Sequence, residues 1–596
     1  MSEPKPLLGC RVLCDLFSCL PEAFTLNRYS AISFASSIFR FLKRNVRSRL
    51  SCRLPNPRIV VLLALLVLLQ SCNLTTIQAQ PTEPAVGLGN QDTRPNIVLI
   101  NLDDADSQLL SDEMLESCYP NMANLAGQSI RFTNMHVTTP FCGPSRACLF
   151  RGQYAHNTGI KVNNPESKLS QGHAGGYQEF KRRGFDQDEL GVWMKRAGYH
   201  TIHLGKFHHH GFDSQVPPGW NDFYVNLGAR YYGTCRFTNR DKPEGRAYNN
   251  PPDEYIACSE ASDVDYLIQN AAHRRQTLGT PFLFYYAPFA PHRPVGKDIS
   301  AMVDHAKYGD WQPPNGIPKD PDLFEADVSD KPSHLQFRPV SSAERKAFEL
   351  EYLCRTRSLK SVDDVVGRIV SMLESVKELD NTVVILTSDN GYQLGHHGLN
   401  NKMDPYDRTT RAPLFVKPAS QHPNAMRSSV RTYHHLLAHI DICPTILELG
   451  EAQIPEFVDG RSFLSLVQNG SEIPEQSWQQ HVLIENWGTK VSRGNQVCGD
   501  NRALRMFDSV YVEWGNQEKE FYDLKEDPFQ LENRFHQLPK ERRQLLHNTL
   551  VELRFPAAPA NQVSPSMLSN HMESRRISEE PASSLLTPLG SALPED

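Results

Sequence analysis

The sequence predicts an α/β fold, with a large central mixed β-sheet flanked by helices and a smaller C-terminal α+β domain. Two nearly continuous apolar runs, Asn96-Ile97-Val98-Leu99-Ile100-Asn101-Leu102 and Thr382-Val383-Val384-Ile385-Leu386-Thr387, have the pattern of strands covered on both faces. Strand and helix patterns alternate between and after them, which is how helices are layered on a sheet. Past about residue 470 short alternating strands precede one last helix, so a second, smaller unit is expected there.

The elements follow in chain order. Residues 1–57 are rich in arginine and poor in acids and form an N-terminal extension. Arg58 then precedes eleven apolar residues, 59–69, followed by Gln70-Ser71-Cys72. Eleven residues are short for a membrane span but suit a signal-peptide core. Residues 58–72 are thus a signal-peptide and lipobox candidate, since Leu69-Gln70-Ser71-Cys72 resembles a bacterial lipobox with Cys72 as a candidate lipid anchor. Export is therefore expected, to the periplasm, the medium or the cell envelope. Residues 73–93 are polar, with scattered Pro and Gly, and are expected as a linker. The main domain is expected over 94–470, the second over 471–555 and a disordered Pro/Ser/Glu-rich tail over 556–596.

Within the main domain, 188–198 predicts an amphipathic helix with Leu190, Val192, Trp193 and Met194 inward and a glycine stop. Strands are expected at 199–204, 282–286 and 414–416. A long helix over 343–379 is predicted by Leu359, Val362, Val366, Ile369, Val370 and Leu373. A further helix is expected at 441–449. In the second unit, 503–514 alternates as a strand, 521–524 forms another, and 540–553 is helical.

Composition bounds the function. The 596 residues are 39% hydrophobic and 22% charged, with a formal net charge of −6. That describes a soluble globular chain with no nucleic-acid footprint. Five of the 13 cysteines (Cys10, Cys14, Cys19, Cys52 and Cys72) lie in or before the candidate signal. With Cys142 set aside an odd number remains, so they cannot all pair, and Cys235 with Cys258 is the first pair to test.

The chemistry gathers around Cys142-Gly143-Pro144-Ser145-Arg146. Pro144 suits the first turn of a helix, which places Cys142 where unpaired N–H groups favour an anion, while Arg146 adds a fixed positive charge. Each apolar run ends on acids, in Asp103-Asp104 and in Ser388-Asp389-Asn390. Neighbouring strands would bring Asp103, Asp104, Asp389 and Asn390 to one edge of the sheet, where ligands of α/β sheets collect. This all-oxygen set selects a hard cation, Ca²⁺ slightly ahead of Mg²⁺. The strand at 199–204 delivers Lys206 and His208, and the strand at 282–286 delivers His292.

Together these segments resemble the formylglycine-dependent sulfatases of the alkaline-phosphatase superfamily. Cys142-Gly143-Pro144-Ser145-Arg146 matches the family's C-x-P-S-R core, while Arg151-Gly152 stands where Thr-Gly is usual. The likeness runs from about residue 94 to about 532 and includes Glu520-Phe521-Tyr522-Asp523-Leu524. It implies an alkaline-phosphatase-like fold and sulfate-ester hydrolysis by formylglycine made from Cys142, with a formylglycine-generating enzyme as maturation partner. It further implies that Asp103, Asp104, Cys142, Asp389 and Asn390 hold the metal and that Arg146 steadies the modified residue. Lys206 and Lys402 would neutralise sulfate oxygens, His292 would protonate the leaving oxygen, and His208 would assist release of sulfate. The segments are most like N-acetylglucosamine-6-sulfatases, with some iduronate-2-sulfatase-like features, so a sulfated carbohydrate is the expected substrate. Arg230, Tyr231, Tyr232 and Arg236 are candidate sugar contacts on an expected loop. A phosphonate or phosphodiester hydrolase and a non-catalytic glycan-binding relative are the rival readings.

Overall fold

The computed structural model describes residues 92–555 apart from 168–169, 210, 228–234, 250–254, 295–297, 337, 422–431, 468–472, 489 and 492–496. The N-terminal extension, the signal and lipobox candidate and the C-terminal tail lie outside the described residues. So do nearly all of the expected linker, Arg230, Tyr231, Tyr232 and the side chain of Cys235. No described helix is long and apolar enough to cross a membrane.

The apolar run at 96 forms β1 (Asn96–Leu102), buried at every position. Among the described residues it lies inside a ten-stranded sheet. The other strands are β2 (Ile130–Phe132), β3 (His200–Gly205), β4 (Asp222–Asn226), β5 (Cys235–Thr238), β6 (Arg246–Asn249), β7 (Phe282–Ala287), β8 (Thr382–Ser388), β9 (Leu414–Lys417) and β10 (Thr432–Tyr433). Their order is β10-β2-β9-β8-β1-β7-β3-β4-β5-β6. β1 pairs in parallel with β7 and β8, whereas β9 runs antiparallel to both β8 and β2, so the sheet is mixed as expected.

Alternation along β1 divides the core. Val98, Ile100 and Leu102 face one layer, where they join Leu359, Val362, Val366 and Ile369. Ile97 and Leu99 face the other, with Leu149, Phe150, Ile442 and Ile446. The first layer is built on the long helix Ser342–Ser375, which opens on a capping box between Ser341 and Glu344. It ends short of the expected residue 379 because Lys377 takes a positive φ of 62° and the chain turns into β8.

The C-terminal sheet is antiparallel, with β11 (His481–Asn486), β12 (Asn501–Met506), β13 (Ser509–Trp514) and β14 (Lys519–Asp523) in that order. The helix Lys540–Arg554 packs on it through Leu546 and Leu550. Residues 503–514, expected as one strand, form most of a hairpin that reverses at Phe507–Asp508. Neither turn residue takes a positive φ, so no glycine or asparagine marks the break in the sequence. Arg236 also departs from expectation. It lies in β5 rather than on a loop, 1% exposed, with its guanidinium 2.5 Å from Asp263, and is in no position to meet a sugar.

Candidate active site

The carboxyl ends of β1 and β8 are adjacent, with Leu102 opposite Ser388. Asp103, Asp104, Asp389 and Asn390 therefore leave the sheet at one edge, all fully buried or nearly so. The Asp104 backbone N–H donates to Asp389 Oδ1 at 3.2 Å, and Asn390 Nδ2 donates to Asp104 Oδ1 at 2.6 Å. Asp104 takes a positive φ of 67°, a conformation that aspartate tolerates better than most residues.

The helix Cys142–Arg151 starts against this edge and ends at Gly152, whose φ of 61° closes its last turn. Cys142 has no exposed surface, and its Sγ lies 3.5 Å from Asp103 Oδ1. Burial pushes its thiol up to about 12, although Lys206 and Lys402 pull the other way. The unmodified side chain is therefore a neutral thiol at physiological pH and a poor nucleophile. Gly143 is required for space, because a Cβ there would meet Asn163 Oδ1 at 2.8 Å and His209 Cβ at 3.1 Å.

Four cations surround the acids. Arg146 is wholly buried; its Nε donates to Asp389 Oδ2 at 2.9 Å, and its Nη1 donates to the Lys206 carbonyl at 3.1 Å and the Tyr285 hydroxyl at 3.2 Å. Lys206 Nζ bonds Asp103 Oδ2. Lys402 Nζ bonds Asp104 Oδ1 and lies 2.8 Å from Cys142 Sγ. Arg355, from the long helix, donates to the Asp104 carbonyl at 2.5 Å. Lys206 reaches its place because Gly205 takes a φ of 106° and sits where a Cβ would fall 2.1 Å from the Ala287 carbonyl oxygen. Burial raises the Asp103 carboxyl, but Lys206, His292, Arg146 and Lys402 outweigh it and hold it well below the usual carboxylate range. Burial and the charge on Asp103 push Asp389 up to about 6.

The histidines divide. His292 lies 3.7 Å from Asp104 Oδ2 through Nε2, while its Nδ1 is 2.6 Å from the Arg293 carbonyl, which fixes the proton on Nδ1 when the ring is neutral. Burial pushes His292 down to about 4 despite Asp104 and Asp103. His208 is not brought into the charged cluster. Its ring lies among Phe180, Phe207 and Phe150 at centroid distances of 4.2, 4.6 and 5.3 Å, and burial, then Arg146, lowers it to about 3. His209 is the neighbour that sits over Gly143. Burial, then Lys206, His292 and Lys402, push its imidazole well below its usual value. Three adjacent histidines in the sequence give no means of telling which one turns inward.

Ligating atoms of Asp103, Asp104, Cys142 and His292 lie within 4.8 Å of one another. Asp104 Oδ2 and Asn390 Oδ1 are buried and accept no hydrogen bond. Orphaned buried acceptors cost about 1–3 kcal/mol each, so this set fits a hard cation. A second group, Asp320, Asp322 and His396, is similarly close, but Arg408 already pairs with both of its carboxylates. Arg355, Tyr285, Asn163 and His209 were not singled out by motif, because a buried helix arginine or strand tyrosine carries no local signal of its role.

An edge of three acids, four cations and a masked thiol on a mixed α/β sheet is built to hold an anionic ester group. The sulfatase family model matches residues 95–452, well over half of the chain, so the chain belongs to the sulfatase family and is a sulfuric ester hydrolase. The model for the N-sulphoglucosamine sulphohydrolase C-terminal region matches residues 395–555. An arylsulfatase of Volvox carteri is 29% identical over 489 residues, covering 74% of this chain and 71% of that protein. The N-acetylglucosamine-6-sulfatase of Homo sapiens is 26% identical over 484 residues, covering 74% and 81%. A solved structure described as in complex with its substrate D-glucosamine-2-N,6-O-disulfate superposes with a TM-score of 0.57 at 20% identity, covering 78% of this chain and 99% of that one, a likeness of fold.

Proposed function

We propose that this sulfatase is an exported enzyme that removes sulfate esters from a sulfated polysaccharide of glycosaminoglycan type, with 6-sulfated N-acetylglucosamine as the first substrate to test. The observation that carries the reading is the cluster of Lys206, Lys402 and Arg146 around Asp103, Asp104 and the buried Cys142, whose thiol burial pushes up. Such a site has the electrostatics to hold a sulfate but lacks a nucleophile until Cys142 is converted. The relatives named for N-acetylglucosamine-6-sulfate support the sugar. The apolar run before Cys72 supports export. Residues 94–470 would form the catalytic domain and 471–555 the C-terminal one.

Asp103, Asp104, Asp389 and Asn390 would hold a divalent cation, with Ca²⁺ slightly ahead of Mg²⁺ as the larger ion more tolerant of irregular oxygen sets, and the modified Cys142 would be a further ligand. Formylglycine would supply an attacking hydroxyl and the cation would draw charge from the sulfate oxygens. The protein's own groups do the rest. Lys206 and Lys402 bind the sulfate oxygens and keep their charge, because the buried acids beside them favour the ammonium form. Lys402, held as an ammonium, is the proton source on the leaving-group side, and His292, whose neutral ring keeps its proton on Nδ1, presents Nε2 there and donates only after taking up a second proton at that atom. His209, over Gly143, takes the role of the histidine that accepts a proton from position 142, in place of His208. The aromatic rings around His208 close that flank to water.

The test is sulfate release from N-acetylglucosamine-6-sulfate, together with peptide mass analysis of position 142. Sulfate release that disappears in Cys142→Ala, with an aldehyde at position 142 in the native chain, is the expected result. Faster hydrolysis of an aryl phosphodiester than of the matching aryl sulfate would overturn it.

A further inference from the structure

A second polar cavity, of about 230 Å³, opens between the large sheet and the C-terminal sheet. Thr133, Asn134 and His434 come to it from the large sheet, Asp407 and Arg411 from the segment before β9, and Arg505 from β12. The volume is just below the roughly 300 Å³ at which ligand pockets begin, room for one sugar unit. None of these residues belongs to the catalytic cluster.

The register places this cavity on the catalytic edge. Leu414 at the start of β9 is opposite Thr387 of β8 and Phe132 of β2, and Phe132 is opposite Tyr433 of β10. Thr133 and His434 therefore leave the sheet at the level at which Asp103 and Asp389 leave β1 and β8. From β8 to β2 is two strand spacings and to β10 three, or about 10–15 Å. That separation is the span of a few sugar units along an extended chain.

The lining carries excess positive charge. Burial raises Asp407, but Arg505, His136 and Arg411 outweigh it and keep it ionised. Two guanidinium groups thus face one carboxylate, in a chain whose net charge is −6. Arg505 is 3% exposed; its Nη1 donates to the Met506, Phe507 and Ser509 carbonyls and its Nη2 to Asp407 Oδ2 at 3.4 Å, while its Nε, 3.3 Å from Asp407 Oδ1, makes no hydrogen bond. Arg411 commits Nε and Nη2 to the Thr133 carbonyl, while its Nη1 is 4.0 Å from Asp407 and its side chain is 39% exposed. His434 is exposed, and its Nδ1 lies 2.7 Å from Thr133 Oγ1; with the threonine hydroxyl donating to Nδ1, Nε2 carries the ring proton and can donate it to an anion. Phe507 and Leu524 supply apolar surface of the kind a sugar face packs on.

We infer that this cavity is an anion subsite that holds the sulfate or carboxylate of a neighbouring sugar while the ester to be cleaved lies at Cys142. The inference rests on the polysaccharide reading above. It makes Arg411, Arg505 and His434 specificity residues that act on chain-like substrates and not on small aryl sulfates.

The experiment compares the wild-type enzyme with Arg411→Gln and His434→Gln, both partly exposed and so tolerant of change, and with Arg505→Gln. The probes are p-nitrophenyl sulfate, a sulfated glycosaminoglycan tetrasaccharide, and the same tetrasaccharide with its non-terminal sulfates removed but its carboxylates kept. The expected result is a rise in KM for the sulfated tetrasaccharide of about tenfold per variant, the loss of roughly one charge-assisted hydrogen bond, with kcat and aryl sulfate turnover little changed. A smaller effect with the partly desulfated probe assigns the subsite to sulfate, and an equal effect assigns it to carboxylate. Unchanged KM for the tetrasaccharide in all three variants, with active enzyme, overturns the subsite alone. If the wild type releases no sulfate from any probe, equilibrium binding of the tetrasaccharide replaces KM. Weakened binding in the variants then keeps the subsite while the catalytic reading falls.

Discussion

Replacement of Arg146 tests how the acids are held together. The guanidinium has no exposed surface and reaches Asp389 Oδ2 through Nε and Nη2, both at 2.9 Å, as well as the Lys206 carbonyl and Tyr285 hydroxyl. Arg146→Met keeps apolar volume and removes the charge, leaving Asp389 buried beside Asp103. Breaking one side of a buried ion pair costs about 3–5 kcal/mol. Arg146→Lys keeps the charge but cannot reproduce the planar fork. It forfeits two bonds to neutral acceptors at about 0.5–1.5 kcal/mol each, or about 1–3 kcal/mol in all. Urea unfolding followed by tryptophan fluorescence, with sulfate release measured on the same preparations, should rank wild type above Lys and Lys above Met. Both variants should lose most activity, since Arg146 also carries the Lys206 backbone. A Met variant that unfolds at the wild-type urea concentration would refute the reasoning.

The remaining predictions use other parts of the structure. Gly205→Ala should lower stability by more than about 1 kcal/mol and activity by far more, because it adds a Cβ 2.1 Å from the Ala287 oxygen at a positive φ and displaces Lys206; wild-type turnover in that variant would remove the argument. Glu189 is 1% exposed and burial pushes it up to about 8, so the folded state keeps a proton that the unfolded state loses near its ordinary value of 4.5. Its contribution is intact below about 4.5 and is lost as pH rises towards about 8, so Glu189→Gln should match the wild type at pH 4.5 and exceed it in unfolding temperature at pH 8; parallel pH profiles would contradict this. Chelation of divalent cations should abolish sulfate release and lower the unfolding temperature, with Ca²⁺ restoring both; an unfolding temperature unmoved by chelator and Ca²⁺ alike would free Asp103, Asp104, Asp389 and Asn390 from a cation role.

Much of the central sheet was legible because buried parallel strands are written as unbroken apolar runs. β1, β7 and β8 read that way, whereas β3 is interrupted by His200, Thr201 and His203 and the antiparallel β9 is only a short apolar run; the acids at the ends of β1 and β8 then pointed to one edge. The short outer strands β2, β4, β5, β6 and β10 carry no such run, and their pairing is decided by distant segments. The same holds for β11, which closes the C-terminal sheet against β12. The positions of Asp103, Asp104, Cys142 and Arg146 followed from motif spacing, whereas the split between His208 and His209 depends on which backbone conformation follows Gly205. Arg236 misled because a charged residue near aromatics reads as surface, while its partner Asp263 lies in a different element.

The central claim is that the thiol of Cys142 is not the group that attacks. Mass spectrometry of the peptide containing Cys142, from enzyme isolated in an active state, tests this directly. The proposed formylglycine mechanism predicts a residue in which an aldehyde oxygen replaces the sulfur and two hydrogens. Fully active enzyme carrying only the free thiol at position 142 would contradict it.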